Sequence, residues 1–552
     1  LMPTTPASTT VTPTTAIPAG VTLTQPLPTG SSATLAGADR GWWNDAVFYE
    51  IFVRSFKDSN GDGIGDFQGI ISQLDYLNDG DPNTTTDLGI NAIWLMPIYP
   101  SPSYHGYDVT DYRAVNPDYG TLDDFKQLLS ECHKRGVHVI IDFVINHTSN
   151  QHPWFKEAQS LASPYHDYYV WSDTIPQSNN GPWGQTAWYK APNGQYYYAP
   201  FWSGMPDLNY HNPAITTEIY DITRFWLQDV GVDGFRVDAA RYLFEEGIAQ
   251  QDAKTTIAWF QDWYMYLKSL NPEAFSIGEV WADLQITAKY QQPTKGLESM
   301  FMFDLAGDIL GSVFAPDPSR LIRAYQDTLS YYPNADFGSF LTNHDQQRVA
   351  SYFSDKVSKE KQAAFIYLTG PGIPFIYYGE EIGMTGNKPD EKLRTPMQWS
   401  NDPNAGFTTV TPWEPVNKDW AEKTVEKLSA EPDSLLSWYR ELVHLREKTP
   451  ALRSGSYIAL TSSCRSVYAT LRVPEGSAPV LTLLNIGVIN QENCTVSLEG
   501  SPIPAGTYVV ENLWGVSQLS EVTFGAGGSL QELPLSPLLE GGESFIVQIK
   551  IQ

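Results

Sequence analysis

Short apolar-rich runs recur along most of this chain, separated by longer stretches of helical periodicity. The runs are Val47–Val53, Asn91–Met96, Val137–Ile145, the stretch at Val232, the stretch at Phe275, Phe301–Leu305, Gly338–Leu341 and Ile373–Tyr377. An apolar run without alternation predicts a strand buried on both faces, as in a parallel sheet. Helical stretches lie between them. One opens at Thr121, with Asp124 three residues on, carries the stripe Leu122, Phe125, Leu128, Leu129 and Cys132, and stops at Gly136. Others follow Pro213, span Thr255–Leu270 and close with Leu435–Glu447. Eight strands with interleaved helices predict an α/β fold, a (β/α)8 or TIM barrel.

Two regions break this rhythm. Residues 148–204 are rich in Trp, Tyr, Pro, Asn and Gly and predict a domain inserted after the third strand. From Ser454 onward, short alternating strands with Gly and Pro turns predict a C-terminal antiparallel β-sandwich. The expected boundaries are a linker at 1–40, the barrel at 41–146 and 206–449, the inserted domain B at 147–205 and the β domain at 450–552. Residues 1–38 hold no Asp, Glu, Lys or Arg and are dominated by Thr, Pro, Ser and Ala, which predicts disorder. Linkers of this kind often join an export or anchoring signal to an enzyme, so an extracellular or cell-surface location is expected.

Composition narrows the partners. The net charge of −28 opposes binding to nucleic acid or an anionic membrane surface. No apolar run is long enough to span a bilayer. We expect a monomer. Of the three cysteines, Cys132 falls on a helical stripe and reads as a core thiol. Cys464 and Cys494 could pair in an oxidising compartment, which sequence leaves open.

Candidate chemistry gathers at strand ends. In Gly231–Ala240, Arg236 and Asp238 share one face of a strand. A structural ion pair would explain those two alone. Glu279 after the strand at Phe275, and His344 with Asp345 after Phe337–Leu341, favour a catalytic site. Separately, Asp58-Ser-Asn60-Gly-Asp62-Gly-Ile64-Gly-Asp66 spaces oxygen donors at alternate positions. That spacing suits one calcium ion held by Asp58, Asn60, Asp62, the Ile64 carbonyl and Asp66. Gly69 at the twelfth position excludes an EF-hand. The plainer alternative is an acidic turn that caps the next helix.

Five motifs in order resemble the α-amylase family of retaining glycoside hydrolases, from about residue 42 to the end. They are Asp142-Phe-Val-Ile-Asn146-His147, Gly234-Phe-Arg236-Val-Asp238-Ala239-Ala240, Gly278-Glu279-Val-Trp281, Asn343-His344-Asp345 and Met205-Pro-Asp-Leu-Asn209. The last is similar to bacterial amylases intermediate between oligo-1,6-glucosidases and neopullulanases. The resemblance implies Asp238 as nucleophile, Glu279 as general acid and base, and Asp345 as stabiliser of the oxocarbenium-like transition state. It implies that Arg236 keeps Asp238 ionised, that His147 and His344 bond the sugar, and that Tyr107 stacks on it. Tyr242 stands where many relatives place a calcium-holding His, which puts a calcium near Asn146 in doubt.

Two more positions bear on specificity. Ala239 after the nucleophile goes with α-1,4 cleavage in the relatives, where Val goes with α-1,6. Arg394-Thr-Pro-Met-Gln-Trp399 resembles the α-glucosidase branch. There an Arg four residues earlier clamps the Asp of Gly-Tyr-Asp, here Asp108. Asp390 occupies that position, so two like charges are expected to leave the cleft open. The resemblance therefore implies an endo-acting hydrolase of α-1,4-glucans, namely starch and maltooligosaccharides. The alternatives are an exo-acting glucosidase, a transglycosylase or trehalose synthase, or a non-catalytic transporter-associated relative.

Overall fold

The computed structural model describes residues 40–551, apart from 177–178 and 247–248. Except for Arg40, the expected linker lies outside the described residues.

Eight strands form one parallel sheet: β1 Phe48–Ile51, β2 Ala92–Leu95, β3 His138–Phe143, β4 Gly234–Val237, β5 Phe275–Gly278, β6 Ser299–Met300, β7 Gly338–Phe340 and β8 Ile373–Tyr377. Their order is β7-β8-β1-β2-β3-β4-β5-β6. A parallel bridge between Phe301 and Gly338 joins the two ends, so the sheet closes into a barrel. Nearly every strand residue is buried, which explains the apolar-rich runs.

One expected strand is largely a helix. The run Phe301–Leu305 contributes only that bridge, and Phe303–Phe314 is α-helical. Phe303, Ala306, Leu310 and Val313 recur at helical spacing and are buried together, and this overrides the local apolar run. The expected capping box is formed. Thr121 N–H donates to Asp124 at 2.8 Å, and Asp124 N–H donates to Thr121 Oγ at 3.1 Å. It starts the helix Leu122–Lys134, where Cys132 is buried and free. The helix Pro213–Arg224 runs on through Val230 and stops at Gly231, whose φ of 100° suits a residue without a Cβ.

Between β3 and β4, a small antiparallel sheet has Tyr196–Tyr198 between Trp171–Ser172 and Trp188–Lys190. A bridge between His147 and Asp207 fastens its base to the end of β3. The C-terminal region builds an antiparallel sheet from β9 Ser456–Ala459, β10 Val467–Val473, β11 Val480–Asn485, β12 Gly506–Gly515, β13 Glu521–Phe524 and β14 Ser544–Ile549. A second sheet of Thr461–Ser462, Thr495–Leu498 and Leu530–Pro534 accompanies it. Cys464 and Cys494 form a disulfide in this region. Arg472 on β10 donates to the Thr369 carbonyl at 2.6 Å and so ties the β domain to a barrel helix.

Candidate active site

Strand register assembles the site. Asp142 on β3 stands beside Arg236 on β4, and Val237 beside Gly278 on β5. Asp238 and Glu279 therefore emerge next to each other at the strand ends, where barrel active sites sit. One guanidinium serves three carboxylates. Arg236 lies 2.7 Å from Asp142, 2.7 Å from Asp238 and 3.0 Å from Glu279. Trp94 packs beneath it, its ring 5.2 Å from the guanidinium carbon.

The backbone bends sharply just past Asp238. Ala239 has φ 48°, a conformation that side chains disfavour, and its N–H donates to Glu279 at 3.2 Å. Burial pushes the Asp238 carboxyl up, and Glu279 and Asp142 add to this against the pull of Arg236. Three carboxylates thus share the pull of one cation.

Asp345, after β7, has cations of its own. His344 Nε2 lies 3.1 Å from it and Arg394 2.8 Å. Burial pushes its carboxyl up, but these two charges hold it well below the usual range. His344 is itself gripped by Glu50, whose carboxylate lies 2.6 Å from Nδ1. Burial lowers the His344 pKa, but Asp345 and Glu50 outweigh it and lift it to about 9, so the ring is an imidazolium at neutral pH.

The expected sugar-binding residues divide. Tyr107 hydroxyl meets Asp142 at 3.0 Å and His344 at 2.7 Å. Its ring stacks on His344 at 5.6 Å, so Tyr107 orders the network. His147 is buried and its Nε2 has no partner among the described residues. Burial lowers its pKa to about 3, so it is neutral. Asp108 and Asp390 each have partners of their own. Asp108 is buried and accepts from Ser101 at 2.5 Å and from Ser103, while Asp390 pairs with Lys388. A buried carboxylate takes the nearest donors, and two turn serines supply them.

The motifs name Asp142, Arg394 and Trp281 without a role, and Glu50, Trp183 and Phe201 not at all. Glu50, Asp142 and Arg394 hold the inner network. The lone carboxylate in the apolar run Val47–Val53 was a usable signal for Glu50. Trp183, Phe201, Tyr242 and Trp281 wall a cleft of about 400 Å³ that reaches Glu279. Trp281 stacks on Phe303 at 4.4 Å and keeps half its surface exposed. Tyr242 packs edge-on against Phe201 and Trp183. Asn146 donates to Asp207 at 3.0 Å.

The loop at Asp58 is bonded to itself. Asp58 accepts from the N–H groups of Asn60, Gly61 and Gly63 at 3.0, 2.7 and 2.9 Å, and from Thr408. Asn60 accepts from Asp62 N–H at 2.9 Å, and Asp62 from Ile64 N–H at 2.8 Å. Asp66 caps the helix Phe67–Ser72 through Gly69 N–H at 2.6 Å. The donors are the oxygen type that calcium takes. Among the described residues, however, no three His, Cys, Asp or Glu side chains converge as a metal set.

Comparison with known proteins agrees with this geometry. Residues 50–455 match the alpha-amylase catalytic domain family. The chain is 43% identical over 438 residues to Alpha-amylase 3 of Dictyoglomus thermophilum, covering 78% of this chain and 83% of that one. It is 36% identical over 519 residues to a probable oligo-1,6-glucosidase of Bacillus subtilis, covering 78% and 88%. The solved alpha-amylase of H. orenii superposes with a TM-score of 0.79 at 37% identity, over 92% of this chain and 99% of that one. The chain belongs to the alpha-amylase family and is a retaining glycoside hydrolase.

Proposed function

We propose that the enzyme is an endo-acting hydrolase of α-1,4-glucosidic bonds in starch and maltooligosaccharides. Asp238 attacks the anomeric carbon, and Glu279 protonates the departing oxygen. A covalent glycosyl-enzyme forms, and Glu279 then takes a proton from the incoming water. Asp345, kept ionised by His344 and Arg394, binds sugar hydroxyls and steadies the positive charge that develops. His147 donates or accepts at the same ring as a neutral imidazole.

The observation that carries the endo reading is where Asp108 and Asp390 spend their charges. One is held by turn serines and the other by Lys388 and by Arg394 at 3.8 Å, so no Arg at that position clamps Asp108 across the non-reducing end. The aromatic walls on the Glu279 side add room for a chain on the leaving-group side. Early products from soluble starch test this. Mixed maltooligosaccharides with a fast fall in viscosity are expected, and glucose alone would overturn the reading. Ala239 supports α-1,4 specificity, so isomaltose should be cleaved more slowly than maltotriose.

The loop Asp58–Asp66 would hold one calcium in a structural role. Chelation should then lower the melting temperature, and an unchanged curve would remove the ion from the account. The disulfide at Cys464–Cys494, together with the charge-free segment at 1–38, supports an extracellular location.

A further inference from the structure

A second cavity lies far in sequence from the cleft, at the seam of barrel and β domain. Its volume is about 380 Å³, and Trp438, Trp514, Asp433, Glu441 and Glu543 help to line it. Trp438 and Glu441 come from the barrel helix Leu435–Lys448, and Trp514 comes from β12. A bulge in β12 sets Trp514 in place. Asn512 and Trp514 oppose the consecutive residues Val547 and Ile546, which turns the strand locally.

Both indoles are fixed. Trp514 Nε1 donates to Glu441 at 2.8 Å, and Trp438 Nε1 donates to the Lys361 carbonyl at 2.9 Å. The rings meet edge to face at 4.5 Å, and Phe365 backs Trp514 at 5.4 Å. Neither ring is fully buried, so the pair forms a rigid apolar corner open to solvent. The cation nearby is committed, because Lys361 donates to the Asp433 carbonyl at 2.5 Å and lies over the Trp438 ring. Three carboxylates line it, and its one lysine, Lys361, is engaged, which disfavours an anion here. A neutral polyhydroxylated ring suits the corner. Its C–H face packs on indole, and its hydroxyls donate to the carboxylates.

We propose that this seam is a second, non-catalytic binding site for an α-glucan chain. The choice of α-glucan rests on the proposed function above. Its role would be to hold the enzyme on a long or granular substrate while the cleft cuts. No residue of the catalytic network takes part, so the two sites separate by mutation.

The test uses the full chain and Trp514→Ala, with Asp433→Ala/Glu441→Gln as a second variant that keeps both indoles. Binding is read as retardation in native gels containing amylopectin, and activity on maltoheptaose and on starch granules. Both variants should weaken retardation by about fivefold or more and slow granule hydrolysis similarly, with maltoheptaose turnover within about twofold. If either variant melts like wild type and is retarded equally, the seam site is wrong. An equal fall on maltoheptaose and granules would also overturn it, because the effect would then be structural. If wild type cleaves maltoheptaose but is not retarded, the seam site alone fails. If wild type does not cleave maltoheptaose, the proposed function fails.

Discussion

Two sets of carboxyls sit at the same end of this barrel and meet different partners. Asp142, Asp238 and Glu279 share Arg236, and Asp345 has His344 and Arg394. Just past β8, Glu380 and Glu381 are buried and meet tyrosines instead. Glu380 accepts from Tyr367 at 2.9 Å and Tyr439 at 2.7 Å, and Glu381 from Tyr49 at 2.7 Å and Tyr76 at 2.5 Å. Burial lifts the Glu380 pKa to about 8 and raises that of Glu381. Phenols can bond a carboxyl but cannot neutralise its charge, so Glu380 keeps its proton at neutral pH and Glu381 is displaced in the same direction. A displaced pKa therefore does not mark catalysis here. Cations within reach and an open cleft do.

The largest expected contrast is in turnover. Glu279→Gln and Asp238→Asn should each lower kcat on maltoheptaose by about 10³-fold or more with folding intact. Glu380→Gln should leave kcat within about twofold, because it replaces one neutral group by another. A comparable loss in Glu380→Gln would erase the distinction.

Stability should separate the two sets next. Arg236→Met strands Asp142 without its cation and should cost about 3–5 kcal/mol in chemical denaturation. Tyr439→Phe removes one of two donors to Glu380 and should cost about 1 kcal/mol.

The pH dependence is the finest discriminator. A carboxyl whose folded pKa is raised favours the folded state while protonated, so its contribution falls as pH rises from the unfolded value near 4.5 through about 8. Glu380→Gln should therefore lose less melting temperature than wild type between pH 5 and 8. His344 behaves in the same direction further up. Its contribution is full below about 6.5 and is lost as pH rises through about 9. Glu50→Gln should bring the alkaline loss of activity to lower pH. An unmoved alkaline limb would mean that Glu50 does not sustain the imidazolium.

The barrel was legible because its strands are apolar-rich runs, and the run at Phe301 misled because five apolar-rich residues fit either period. Asp238, Glu279 and Asp345 were legible as charges at strand ends. Their partners were harder to read. Glu50 and Arg394 reach His344 and Asp345 from 294 and 49 residues away, a pairing that only the closed barrel creates. Asp108 takes its donors from two serines in its own turn, which the motif around it does not mark. The seam cavity has no linear signature, since a bulge in β12 sets where Trp514 points.

The central claim is tested most directly by the first minutes of maltoheptaose turnover, followed by proton NMR and chromatography together. The account predicts products of several lengths that carry the α-anomer before mutarotation. A first product of the β-anomer, or glucose as the only short product, would contradict it.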